Sequence, residues 1–209
     1  MIEKKYLITG VGPLLFNRFP DEENEEGKSK AKTSKPTADE GTFRSLYWTK
    51  KFSFDDFVKS KDVDDSVEPT VTGYVLPKGA IYTPADHFLG AMTKAGASFK
   101  MEGRKTYKDA IKGGVFITPI DESLESYKLV HKKTVVIRDW RSVVVPATRG
   151  RVMRARGRLD EWELEIKVTC LDPRASGDDI TAILQYAGQY VGIGDYRPRF
   201  GRFEVKELK

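Results

Sequence analysis

Two helix-opening signatures, Thr83-Pro84-Ala85-Asp86 and Ser176-Gly177-Asp178-Asp179, each stand between strand-like runs. In each, a hydroxyl residue can cap the first turn and an acid three positions on can return the bond. Pro84 adds the fixed φ of a first helical residue. Behind the first signature, Phe88, Leu89, Met92, Ala95 and Phe99 recur at helical spacing, with Gly90 and Gly96 among them. Behind the second, Ile180, Ile183, Leu184, Ala187 and Val191 form an apolar face. Tyr6 to Thr9 is a short apolar run, the mark of a strand covered on both faces. A short helix over residues 106–112 stops at Gly113-Gly114, and Val115-Phe116-Ile117 follows as a strand closed by Pro119. Trp162, Leu164, Ile166 and Val168 alternate with Glu161, Glu163, Glu165 and Lys167, which predicts a half-buried strand. Residues 202–206 predict a last one. The order strand, helix, strand, strand, helix, strand predicts an α+β fold. It is the ferredoxin-like (βαββαβ) arrangement: an antiparallel sheet with two helices, here carrying a β-hairpin insertion.

The chain of 209 residues suits one domain, residues 1–209. Two long insertions interrupt it. Residues 20–40 hold an acidic block (Asp21, Glu22, Glu23, Glu25, Glu26) and then a basic one (Lys28, Lys30, Lys32, Lys35). With no aromatic residue and no aliphatic larger than alanine, this segment cannot offset its ordering entropy, so a mobile loop is expected. Residues 43–48 and 52–58 are apolar and can pack on the core, and residues 61–69 predict a second polar linker. The insertion at 120–160 predicts a β excursion. Thr134-Val135-Val136-Ile137 and Ser142-Val143-Val144-Val145 are β-branched runs, and Asp139-Trp140 between them places Trp140 at a hairpin tip.

Composition excludes several functions. No run of 18 apolar residues occurs, so no membrane span is expected, and the N-terminus lacks the basic-then-apolar order of a signal peptide. Cys170 is the one cysteine, which excludes an internal disulfide and points to a reducing, cytoplasmic setting. The two histidines, His87 and His131, make a histidine metal site improbable; no metal and no cofactor is expected. Charge is uneven. Residues 1–70 hold 12 Lys/Arg against 14 Asp/Glu, whereas residues 71–209 hold 24 against 17. The peak is residues 132–158, with nine basic residues against one acid, Asp139. Concentrated charge of this kind suggests a polyanion, and the arginine fork suits phosphate.

Within this basic half, Arg154, Arg156 and Arg158 lie two apart and share one face of a strand, with Arg149 and Arg151 before them. They read as a solvated hairpin face or as phosphate contacts. The run Gly192-Ile193-Gly194-Asp195-Tyr196-Arg197-Pro198-Arg199-Phe200-Gly201-Arg202-Phe203 superficially resembles a dinucleotide-binding glycine pattern. The context differs, since it follows a helix and leads into a strand. It reads as a helix C-cap with a turn, or as a loop whose Arg197, Arg199 and Arg202 hold phosphates while Tyr196 or Phe200 stacks a base. Trp140 reads as a stacking wedge or as packing. His87 reads as a packing residue or a general acid–base group. Asp195 could bind a metal or hold the loop.

On three of these stretches the chain resembles the RAMP superfamily, the RNA-binding ferredoxin-like proteins of CRISPR effector complexes, and in it the repeating backbone subunits. The opening strand with Gly10-Val11-Gly12-Pro13-Leu14-Leu15 looks like the family's first strand and its exit. The stretch Ile81-Tyr82-Thr83-Pro84-Ala85-Asp86-His87-Phe88-Leu89-Gly90-Ala91-Met92 looks like its entry to the first helix. The terminal run from Gly192 to Phe203 looks like its glycine-rich loop before the last strand. Two features depart from the family: the basic residue after the Gly-Ala turn is delayed to Lys94, and the 20–40 loop has no counterpart. The resemblance implies single-stranded RNA bound along the sheet and loops, and an insertion at 120–160 that acts as a thumb hairpin. It also implies a homo-oligomer or filament along the RNA. The expectation is a non-catalytic guide-RNA-binding protein of antiviral defence. The rivals are a metal-independent RNA endonuclease using His87 and a phage single-stranded DNA-binding or interaction protein.

Overall fold

The computed structural model describes residues 1–18, 36–64, 66, 71–101, 103, 105–144 and 149–208. The chain opens with β1 (Ile2–Gly10), β2 (Leu14–Leu15), α1 (Ala38–Ser45), α2 (Phe54–Lys59), β3 (Lys61–Asp64), β4 (Val71–Val75) and β5 (Tyr82–Pro84). The middle holds α3 (Ala85–Gly96), α4 (Tyr107–Gly114), β6 (Val115–Pro119), β7 (Lys128–Val130) and β8 (Val135–Val144). The rest is β9 (Arg151–Leu159), β10 (Glu163–Cys170), α5 (Gly177–Tyr186) with a π-helical turn (Ala187–Val191), and β11 (Phe203–Leu208). The fold is mixed α+β with antiparallel sheets.

One sheet has four strands in the order β11–β1–β10–β6, every neighbouring pair antiparallel. The strands alternate, so Tyr6, Ile8, Leu164, Ile166 and Val168 are buried beneath α3 and α5. Tyr6 fixes this packing with a 2.8 Å hydrogen bond to Thr181 of α5. The opposite face is not covered in the way the apolar run at the start of the chain suggested. Leu7 lies between Glu165 and Lys206 in register, and Glu3, Lys5 and Thr9 beside it are exposed. The Ser176 capping box forms as expected, with Ser176 and Asp179 bonding each other's backbone amides. Thr83 does not cap α3. It belongs to β5, which pairs with β7, and its hydroxyl lies 2.9 Å from His131 Nε2.

The second sheet has five strands in the order β2–β9–β8–β4–β3. At its centre β8 and β9 pair from Ile137↔Arg158 to Val144↔Arg151. Trp140 is therefore not at a tip. It stands mid-strand opposite Ala155. Two further expectations change here. Thr37 closes a capping box with Glu40, so α1 takes up residues 38–40 of the expected loop; residues 20–35 of that loop lie outside the described residues. Residues 61–64 form β3 rather than a linker, because they pair with β4 from Lys61↔Tyr74 to Asp64↔Val71. Tyr74 stacks on Phe57 of α2 at 4.1 Å, and Asp39 of α1 accepts bonds from Tyr74 and Arg138.

Buried aromatic residues join the two sheets. Phe16 lies 5.8 Å from the His131 ring, and His131 lies 6.4 Å from Trp162. Burial lowers the His131 pKa to about 3, so its imidazole is neutral. Among the described residues no helix is long and apolar enough to cross a membrane.

Candidate functional site

After the π-helical turn, Gly192 takes φ +70° and the chain turns back over β2. The loop that follows is pinned by backbone bonds: Ile193 to Gly201 at 2.9 Å, Gly201 to Pro13 at 2.7 Å and Asp195 to Leu15 at 2.9 Å. Gly194 and Gly201 have φ of +74° and +70°. A side chain at Gly194 would come within 2.7 Å of the Leu15 carbonyl, and one at Gly201 would collide with Ile193. These glycines are explained by a tight fold against residues 13–15.

The pinned loop sets Asp195 and Tyr196 over the face of β9. Tyr196 adopts φ +56°, a left-handed backbone that costs a tyrosine about 1 kcal/mol or more and must be held by its surroundings. Its amide bonds Asp195 Oδ1 at 3.0 Å. Arg156, 4 % exposed, is ion-paired to Asp195 and lies 5.4 Å from the Tyr196 ring. Arg141 on β8 lies 5.2 Å from Tyr196 and 4.8 Å from Phe200. The two basic stretches therefore meet, on the strand face that carries Arg154, Arg156, Arg158, Asp139 and Arg141.

The cations at this junction fall into two sets. Asp139 is buried, is bonded by Arg141, and lies 3.2 Å from Arg158. Arg158 also bonds Asp160 at 2.5 Å. The bond to Asp139 raises the Arg141 pKa. At Arg158 burial acts to lower the pKa, and the bonds to Asp160 and Asp139 more than offset it. Arg156, Arg158 and Arg141 are thus neutralised within the fold. Arg149, Arg151, Arg154, Arg197, Arg199 and Arg202 are all exposed, and among the described residues none has a carboxylate partner. Arg154 shares the face of Arg141. Arg151 lies on the opposite face with Trp140, which is 51 % exposed and 5.9 Å from the Arg138 guanidinium.

His87 sits in the first turn of α3, edge-on to Tyr47 at 5.7 Å. Burial lowers its pKa and nearby Arg197 lowers it further, against an opposing pull from Asp86. Sequence reasoning missed three members of the cluster: Arg141, Asp139 and the Arg156 partner role of Asp195. The signal for Asp139 was present, since it is the one acid in a run of nine cations. No group of three or more metal-ligating side chains occurs among the described residues. No protein-family model matches the chain, and a search of curated proteins finds no match.

Proposed function

We propose that this protein binds single-stranded RNA without cleaving it, through the terminal loop and the β8–β9 arm. One observation carries the reading: two distant arginine-rich stretches converge around Tyr196 and Phe200, with further arginines at the junction lacking carboxylate partners. Cations beside aromatic rings suit a single strand, because phosphates take the charge and any base offers a stacking face. In this reading Arg149, Arg151, Arg154, Arg197, Arg199 and Arg202 meet phosphates, Tyr196 and Trp140 stack bases, and Arg156 and Arg158 hold the platform. The four-stranded sheet is a ferredoxin-like unit in one domain, supported by its strand order and by helices on one face. The RNA path is placed away from its open face, where Lys167 is paired with Glu122 and the adjoining Lys132 with Glu165 and Glu163, and where, among the described residues, no exposed aromatic ring is paired with a cation. RAMP-superfamily membership, a CRISPR-type guide RNA, a cytoplasmic setting and a homo-oligomer or filament along the RNA are parts of the same proposal.

The test is the salt dependence of binding to a labelled oligouridylate. Each phosphate contact contributes a slope of about −0.7 in log K against log salt for a single strand, so a steep fall is expected. A flat response sinks the proposal. Competition with the matching DNA separates RNA from DNA, since 2′-hydroxyls exist in RNA alone. A second reading, cleavage with His87 in proton transfer, is favoured by one feature: a histidine with a lowered pKa beside Arg197. Cleavage products from the wild type that disappear in His87→Ala would establish it.

A further inference from the structure

A second aromatic series lies beside the start of α3. His87 is edge-on to Tyr47 at 5.7 Å; Tyr47 lies 5.6 Å from Tyr82, and Tyr82 lies 6.1 Å from Tyr127. Lys128 Nζ stands 5.6 Å and 5.5 Å from the Tyr82 and Tyr127 centroids. The rings come from separate segments: the turn after α1, the start of β5 and the turn before β7. All three are only partly buried, and Tyr127 is 47 % exposed. Two acids face the series: Glu125, bonded to Lys128 at 2.6 Å, and Asp86 beside His87. Lys128 is held by Glu125 beneath these rings, and Arg197 of the terminal loop is near enough to His87 to act on its charge, which sets the series beside that loop.

We infer that Tyr47, Tyr82 and Tyr127 form a second stacking platform for the same nucleic-acid strand. One molecule then runs from the arginine arm across the terminal loop and past the start of α3 onto β5 and β7. This rests on the single-stranded RNA reading and adds a length to it. Contacts are made by stacking, so the second platform tolerates any base sequence.

The experiment measures binding of labelled oligouridylates of increasing length, beginning at four nucleotides, to the full-length wild type, Tyr127→Ala and Tyr127→Phe. Wild-type affinity rises with length and then levels. Tyr127→Ala binds the shortest oligomer as the wild type does, levels at a shorter length, and loses about tenfold on the longest, the worth of one stacked base. Tyr127→Phe keeps wild-type behaviour, because stacking needs the ring and not the hydroxyl. Equal affinity of Tyr127→Ala and wild type for the longest oligomer overturns the second platform alone. Failure of the wild type to bind any oligomer overturns it together with the RNA reading. As an independent readout, 4-thiouridine crosslinks should map to peptides containing Tyr82 or Tyr127; crosslinks confined to residues 140–158 and 196–202 refute the path.

Discussion

The two sheets carry similar side chains to different ends. At the open face of the four-stranded sheet, Lys167 of β10 is matched by Glu122, and Lys132 of the turn between β7 and β8 by Glu163 and Glu165. On the five-stranded sheet three arginines are matched by Asp139, Asp160 and Asp195, and further arginines beside them are not. The difference teaches that a count of cations does not locate a binding surface. What locates it is a set of unpaired cations gathered beside exposed aromatic rings. Arg154 and Arg156 make the point within one strand: two residues apart on one face, the first is exposed and the second is buried against Asp195.

The sharpest way to break this distinction is to exchange the two. Arg156→Ala should cost about 3 kcal/mol of folding stability, because it leaves Asp195 without its partner inside a packed loop junction. Arg154→Ala should cost less than about 0.5 kcal/mol. Urea denaturation of both variants checks this, and similar losses for the two would erase the division between structural and available arginines. Next in size is binding. Replacing Arg197, Arg199 and Arg202 together by alanine should weaken oligouridylate binding by about a hundredfold at moderate salt and flatten the salt slope by about 2 units. Replacing Lys167 on the four-stranded sheet and Lys132 beside it should leave both unchanged. If the lysine variant loses affinity instead, the open sheet face belongs to the site.

A third prediction concerns the seam that both sheets share. The His131 pKa is lowered to about 3 by burial, and that of His87 is lowered as well. Below pH 6.5 the unfolded chain takes up protons on both histidines while the folded chain does so less. Stability is therefore complete above pH 6.5 and falls as the pH drops, by about 1.4 kcal/mol per unit for His131. Asp39 and Asp172, whose pKa values are also lowered, act only below about pH 4, so the window from 6.5 to 5 reports the histidines. Denaturation midpoints across that window should lose most of their slope in His131→Leu, whatever its absolute stability.

Much of the fold was legible where one residue type and one spacing settle the outcome. The alternation from Trp162 to Val168 became β10, and Ser176 with Asp179 formed its box. Tyr6 to Thr9 misled, because Leu7 is apolar but sits among charged neighbours on an open face. Thr83 misled because strand pairing with β7 outweighed its capping preference. At the site, the glycine loop and its arginines were visible as a cluster in sequence. The tyrosine series was not, since Tyr47, Tyr82 and Tyr127 are brought together only by tertiary packing and share no motif.

The smallest effect tests what supports the arm from below. α1 packs against β9 and β8, and it begins at the Thr37–Glu40 capping box, with Thr37 accepting from the Glu40 amide at 3.2 Å. The same helix carries Asp39, which binds Tyr74 and Arg138 and so ties α1 to β4 and β8. Thr37→Ala removes one bond to an exposed amide and should cost about 1 kcal/mol. Because that bond closes α1 rather than the terminal loop, the loss should appear in stability alone, with the salt slope of RNA binding unchanged. Thr37→Ser should restore the stability. A Thr37→Ala variant with intact stability but altered salt slope would mean that α1 contacts the strand itself, and α1 would then join the binding surface of the arm.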